Sequence, residues 1–292
     1  MALAAAFCWA GCSPCFTIAG RRIGSLAVNW YRLVLGSLFL SIFCFFWRGS
    51  AFPVGASPSA WVNLLVSGFI GFFLCDLCLF RSYLLIGPRL SLLIFSLAPL
   101  ITAVLSWLWL GETISTLGMI GMVVTLGGVL WVVLEGKPRS DDVLDKKWRF
   151  GILLAFLAAI GQALGMIFAD LAVVDYDPFA SNLIRTYAGI IGFAAVILFS
   201  RRVRAVGQSF RDTRAMAWLT AGAVAGPFLG VGLALASLQH IPNATTMTIL
   251  ALLPVLVLPF AKYLLKEEVS PRAAFGAIIA FVGVALFFIP GS

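Results

Sequence analysis

Apolar residues gather into ten long runs separated by short polar or charged stretches: 2–19, 25–47, 61–85, 89–110, 114–134, 150–171, 178–199, 215–238, 243–265 and 271–289. About 20 apolar residues span the hydrocarbon core of a bilayer as a helix. A helix is also the form in which a lone segment satisfies its own backbone groups there. The pattern predicts an all-α membrane protein with ten transmembrane helices. The longest charged connection, 135–149, falls between five spans (1–134) and five more (150–292), and reads as a linker.

The two halves repeat each other. Pro99 lies thirteen residues before Glu112 and Pro254 thirteen before Glu267, an offset of 155 (254 − 99). At that offset Gly71 meets Gly226, Phe73 meets Phe228, Ser82 meets Ser237, Ile86 meets Ile241 and Ser115 meets Ser270. Gly121 likewise meets Gly276, and Gly128 meets Gly283. A unit with an odd number of spans enters the membrane upside down in its second copy. The expectation is two inverted five-helix repeats around a central cavity, related by an axis in the membrane plane.

Composition agrees with lipid as the solvent: 62% of the 292 residues are hydrophobic and 11% charged, with a mean hydropathy of +1.05. A net charge of +8 would suit nucleic acid, but the cations sit in short loops between apolar runs, as membrane topology requires. Nucleic acid is therefore excluded as a partner. One face collects Arg21, Arg22, Arg81, Arg89, the linker cations, Arg201, Arg202, Arg204, Arg211, Arg214, Lys262, Lys266 and Arg272. The other has Arg48 beside Glu112, Asp175 and Asp177. The positive-inside rule places the first face in the cytoplasm and both termini outside. The first run lacks a basic leader and reads as a retained span rather than a cleaved signal peptide.

Few polar groups lie inside the spans. Pro99 and Pro254 fall near mid-membrane in spans 4 and 9. Each removes a backbone bond and frees the carbonyl four residues back, at Phe95 and at Leu250. Matched breaks point to a solute site; ordinary kinks satisfied by neighbouring helices are the alternative. Asp76 is deep in span 3, where a charge costs roughly 2.5–3.5 kcal/mol. It is a candidate for proton coupling, or it pairs with Arg32, Arg81 or Arg185. Arg32 and Arg185 either snorkel to the headgroups or meet a substrate carboxylate. Glu112 and Glu267 suit helix N-termini. Trp9, Ser13 and Gln162, in the opening helices of the halves, either hold a small zwitterion or aromatic solute or serve packing. Trp107 and Trp109 read as interfacial belt residues, and the Gly222, Gly226, Gly230 series as close helix packing. Cys12-x2-Cys15 and Cys75-x2-Cys78 place sulfurs on one helical face, where packing outweighs metal binding; no cofactor is expected.

Several of these residues resemble the EamA-type drug/metabolite transporter pattern. They are Trp9-Ala10-Gly11, Arg32, Leu110-Gly111-Glu112 and Gly121/Gly128 in the first half, with Arg185, Lys266-Glu267 and Gly276/Gly283 in the second. The resemblance covers nearly the whole chain as two EamA repeats. It implies a ten-helix basket in the cell membrane with a cavity lined by spans 1, 3, 4, 6, 8 and 9. It also implies transport of a small-molecule substrate, often export of amino acids. Family members are drawn with cytoplasmic termini, against the charge count here. A lipid or lipid-linked-sugar flippase and a non-transporting membrane interaction protein remain as alternatives. An intramembrane enzyme would need catalytic groups, and the chain has the single His240 and no His-Glu-x-x-His.

Overall fold

The computed structural model describes residues 1–110, 115–135, 142–173, 176–240, 246, 249–266 and 270–287. Among them every regular element is helical. In the first half these are α1 (Ala2–Ile23), α2 (Ser25–Arg48), α3 (Pro58–Gly68), α4 (Cys75–Phe95), α5 (Ala98–Leu110) and α6 (Thr116–Glu135). In the second they are α7 (Asp142–Val173), α8 (Pro178–Phe199), α9 (Val203–Ser209), α10 (Thr213–Ala223), α11 (Val231–Leu238), α12 (Leu253–Leu265) and α13 (Pro271–Phe287). Wide π-helical turns, Phe69–Leu74 and Val224–Gly230, join α3 to α4 and α10 to α11.

Local chemistry sets the ends. Ser57, Asp177 and Asp212 cap α3, α8 and α10, their side chains accepting from Ala60, Ala180 and Ala215 N–H. Pro58 and Pro178 follow two of these caps, where a missing N–H costs nothing. A single residue, Gly24 (φ 81°), joins α1 to α2, and Gly87 (φ 78°) interrupts α4 in the same conformation, one that L side chains rarely adopt. Ser82 Oγ donates to Ser91 Oγ at 2.8 Å across Gly87. Nine residues of straight helix would separate them by about 13.5 Å, so the chain folds back there. Pro58–Phe95 thus contains two helical segments that meet at a reversal.

Seven described stretches are long and apolar enough to cross a bilayer: Ala2–Ile23, Ser25–Arg48, Pro58–Phe95, Thr116–Leu134, Lys146–Val173, Pro178–Phe199 and Thr213–Leu238. The expected spans 4 and 9 are each interrupted a few residues before their prolines, at turns 96–97 and 251–252. Pro99 and Pro254 stand in the first turns of α5 and α12. The expected linker is partly helix, since Asp142–Arg149 form the start of α7. Charged residues extend a helix past the hydrocarbon, where hydropathy no longer marks it. Glu112, Glu267 and Asp175 lie outside the described residues, as do the side chains of Trp107 and Trp109.

Packing follows a reciprocal scheme. The first helix, α1, lies against α10, α11 and the second π turn, and α7 lies against α3, α4 and the first. Helices α2 and α8 pair with each other, as do α6 and α13. In the last pair, Gly128 abuts Gly276 and Ala280, while Gly283 abuts Gly121 and Thr125. The same glycines thus meet in exchanged roles, as in an isologous contact. Large apolar side chains such as Phe45, Phe46, Val123, Leu130, Ile191 and Phe199 stay exposed on the outside, the arrangement a lipid solvent favours. Close approach of small residues, rather than apolar burial, then holds helices together.

Candidate functional site

A cavity of about 80 Å³ lies where the two halves meet. Trp9, Cys12 and Phe16 reach it from α1, Asp76, Phe80 and Tyr83 from α4, and Gln162 from α7. Both π turns contribute wall: Gly71 and Phe72 from one, Gly226 and Pro227 from the other. A second cavity of about 30 Å³ shares Trp9, Phe95 and Gln162 and adds Ser96, Pro99 and Leu250 around the two helix breaks.

These elements curve around a hollow for local reasons. Proline has no N–H, so Pro99 and Pro254 leave the carbonyls of Phe95 and Leu250 without their usual helical donors. The chain turns before each proline and restarts the helix with proline in its first turn. Pro227 lies inside the second π turn, and Gly230 gives the Trp9 indole its place: a Cβ there would lie 2.6 Å from Trp9 Nε1.

One charged network dominates the wall. Asp76 is ion-paired with Arg32 Nη2. Arg32 Nε donates to Asn29 Oδ1 at 3.0 Å, and Asn29 Nδ2 donates to the Asp76 backbone carbonyl at 3.2 Å. The Arg32 guanidinium stacks 4.5 Å from the Phe80 centroid and 5.8 Å from that of Phe16. Both charges are buried, and a buried charge is tolerated only when paired and hydrogen-bonded. Arg81, the other candidate partner on α4, is exposed.

Of the residues singled out from the sequence, Trp9, Asp76, Phe95 and Gln162 line the larger cavity, and Pro99 and Leu250 the smaller. Pro254 is buried beside Leu253, which lines both. Arg185 is also buried, its guanidinium 4.7 Å from the centroid of Phe72 on the cavity wall. Ser13 lines neither cavity: its hydroxyl donates to the Ala10 carbonyl at 3.1 Å within its own helix. The sulfurs of Cys12, Cys15 and Cys75 are likewise taken up by helix carbonyls. Sequence reasoning misses the π turns and Asn29. A signal for the asparagine exists: Asn-x-x-Arg occurs at 29–32 and again at 182–185, an offset of 153 (182 − 29) that also relates Trp9 to Gln162.

A model of the EamA-like transporter family matches this chain twice, over residues 1–134 and 149–289. The chain belongs to the EamA-like transporter family. Its halves are two EamA repeats. Among curated relatives it is similar to "Uncharacterized transporter YetK" of Bacillus subtilis (strain 168), 28% identical over 183 residues, which are 62% of this chain and 52% of that protein. It is also similar to "Uncharacterized transporter YvbV" of the same organism, 31% identical over 87 residues, 30% of this chain and 26% of that one. The chain thus matches about half the length of YetK and a quarter of YvbV. One crystal structure superposes with a TM-score of 0.67 at 16% identity, covering 98% of this chain and 94% of that one. That likeness shows the fold alone. This EamA protein is a multi-pass membrane protein.

Proposed function

We propose that this EamA protein is a secondary transporter of small metabolites, working by alternating access between two inverted five-helix repeats, ten spans in all, in the cell membrane. The observation that carries the reading is the position of the cavity. It lies where the two repeats meet and both π turns wall it, while the smaller cavity that shares Trp9, Phe95 and Gln162 with it lies at both helix breaks. Turns 96–97 and 251–252, and π turns starting at Phe69 and Val224, all stand 155 positions apart (251 − 96, 224 − 69). Paired discontinuities at a repeat interface are the usual mark of a transport site, and π turns concentrate at functional ones.

In this reading the carbonyls of Phe95 and Leu250, stripped of helical donors by Pro99 and Pro254, accept hydrogen bonds from the solute. Trp9 offers a stacking face and Gln162 both hydrogen-bonding directions. The two repeats are tied at opposite ends of α2, about 36 Å apart for its 24 residues. At one end Arg22 Nε pairs with Asp212 at 2.8 Å. At the other the Tyr176 hydroxyl donates to the Val54 carbonyl at 3.0 Å and accepts from Arg48. Rocking one repeat against the other would break one tie while the other holds. The family resemblance points to export and to amino acids or related amphipathic solutes. A proton would couple through Asp76, the acid on the cavity wall.

A thermal-shift screen of the purified protein against amino acids, nucleosides, sugars and polyamines tests the reading, because any ligand of the native state raises its apparent stability. A stabilising solute should then enter proteoliposomes faster than empty liposomes. A panel with no stabiliser and no uptake would remove it.

A further inference from the structure

The second repeat carries a buried cation that the protein does not neutralise. Arg185 is 1% exposed. Its Nε and Nη1 have no hydrogen-bond partner among the described residues, and neither do Asn182 Oδ1 and Ser181 Oγ on the same turn of α8. In the corresponding turn of the first repeat the guanidinium is partnered: Arg32 Nε goes to Asn29 Oδ1 and Nη2 to Asp76. The asymmetry is chemical. Asp76 stands where the second repeat has Val231 (231 − 76 = 155), so one carboxylate faces two guanidiniums.

Arg185 is also next to the cavity. Its guanidinium stacks on Phe72, and a Cβ added to Gly71 would lie 3.4 Å from Nη2. Both residues form the cavity wall. Asp76 feels the charge of Arg185 as well as that of Arg32, but only Arg32 makes the ion pair. The buried charged residues among those described are Arg32, Asp76 and Arg185, which sum to one positive charge. Such a charge in a low-dielectric interior is costly until an anion joins it.

We propose that the cavity selects small organic carboxylates of net negative charge, and that Arg185 is the residue that receives the carboxylate. The inference rests on the transport reading and narrows it. A carboxylate would meet unused guanidinium donors and form charge-assisted hydrogen bonds, about twice as strong as neutral ones. The ammonium of a zwitterion would find Asp76, the one carboxylate on the wall among the described residues, already committed to Arg32. Phe16, Phe72, Phe80 and Leu253 would cover the apolar part of the solute.

Three solutes of one shape test this on the full-length protein in detergent: isobutyrate, its neutral amide isobutyramide, and the zwitterion 2-aminoisobutyrate. Thermal shift should show isobutyrate binding at least tenfold more tightly than either analogue. Arg185→Gln should erase that preference, while Arg185→Lys keeps part of it. Equal or better binding of the amide or the zwitterion overturns the proposal, as does no stabilisation by isobutyrate. So does a preference that survives Arg185→Gln. Should Arg185→Gln fail to fold, the ranking of the three solutes on wild type still decides. Sodium chloride at matched ionic strength must not reproduce the effect; if it does, the site takes inorganic anions and the organic class falls. Should isobutyrate protect through Arg185 while no solute of the transport panel enters proteoliposomes, the anion site stands and the transport reading falls. Uptake of a solute without charge preference leaves transport standing and removes the anion site.

Discussion

Ser82 Oγ donates to Ser91 Oγ at 2.8 Å across the reversal at Gly87, and 155 positions on (237 − 82) Ser237 and Thr246 repeat the contact at 3.2 Å. Each serine also reaches the carbonyl three residues back, Leu79 in one repeat and Ala234 in the other. Both hydroxyls are buried. The pairs tie residues nine positions apart in each repeat, close in sequence to the helix breaks, so they connect a detail of the sequence to the shape of the cavity.

Removing one of these hydroxyls should cost about 1 kcal/mol, the net worth of a typical intramolecular hydrogen bond. Ser82→Ala and Ser237→Ala should each lower the melting temperature modestly. The two sites share no partner, so the double variant should show the sum of the losses. Thermal unfolding in detergent measures all three, and a strongly non-additive result would mean the repeats do not carry independent copies of this tie.

The contact between α6 and α13 makes a sharper stability prediction. A Cβ on Gly128 would lie 2.6 Å from Ala280 N, and one on Gly283 would lie 2.7 Å from the Gly121 carbonyl. Backbone cannot yield as a flexible side chain does, so Gly128→Val and Gly283→Val should each destabilise by about 1–3 kcal/mol through overpacking. Gly127, with nothing within 4 Å of its Cβ position, is the control. Gly127→Ala should be neutral or mildly stabilising in the same melting assay.

How much of the molecule is legible in the sequence depends on whether a feature alters hydropathy or backbone chemistry. Pro99 and Pro254 are legible because a missing N–H within an apolar run has one physical consequence, and the chain breaks beside both. The π turns at Phe69–Leu74 and Val224–Gly230 leave no trace, because one extra residue in a helical turn changes neither composition nor apolar run length. Asp142–Arg149 resemble a linker because charge marks the end of the bilayer, not the end of a helix. Among Arg32, Arg81 and Arg185, sequence does not choose the partner of Asp76. That choice depends on which helix face α2 turns toward α4, and it leaves Arg185 unpaired. Ser13 attracts notice for its polarity, which its own helix absorbs.

The tie at the basic end should respond to pH. Asp212 is held below the ordinary carboxylate range, first by the hydrogen bond from Arg22 and then by the N–H of Ala215 at the start of α10. Its native pKa is therefore lower than its unfolded one. The stabilisation is fully present above the unfolded value, near 3.9, and is lost as pH falls through the native value. Wild type should melt above Asp212→Asn by a constant margin from pH 8 to about pH 5, and the margin should close below about pH 4. Because the pair is solvent-accessible, added salt should shrink the margin too. A margin that widens on acidification would contradict the assignment.

The Arg32–Asp76 pair allows structure and transport to be separated. Asp76→Asn leaves the buried Arg32 without a counterion, a change that costs about 3–5 kcal/mol in buried pairs generally. Replacing both members by apolar residues, as in Arg32→Met with Asp76→Leu, removes the orphaned charge and should recover most of that loss. Melting curves should therefore rank wild type near the double variant and both above Asp76→Asn. Transport in proteoliposomes should follow a different order. If Asp76 takes part in the transport cycle, the double variant stays impaired at normal expression despite its recovered stability. Pro254→Ala should be impaired as well, because restoring the N–H returns the Leu250 carbonyl to its helix. Full activity in the double variant would reduce the ion pair to a packing element, and full activity in Pro254→Ala would remove the broken helix from the solute path.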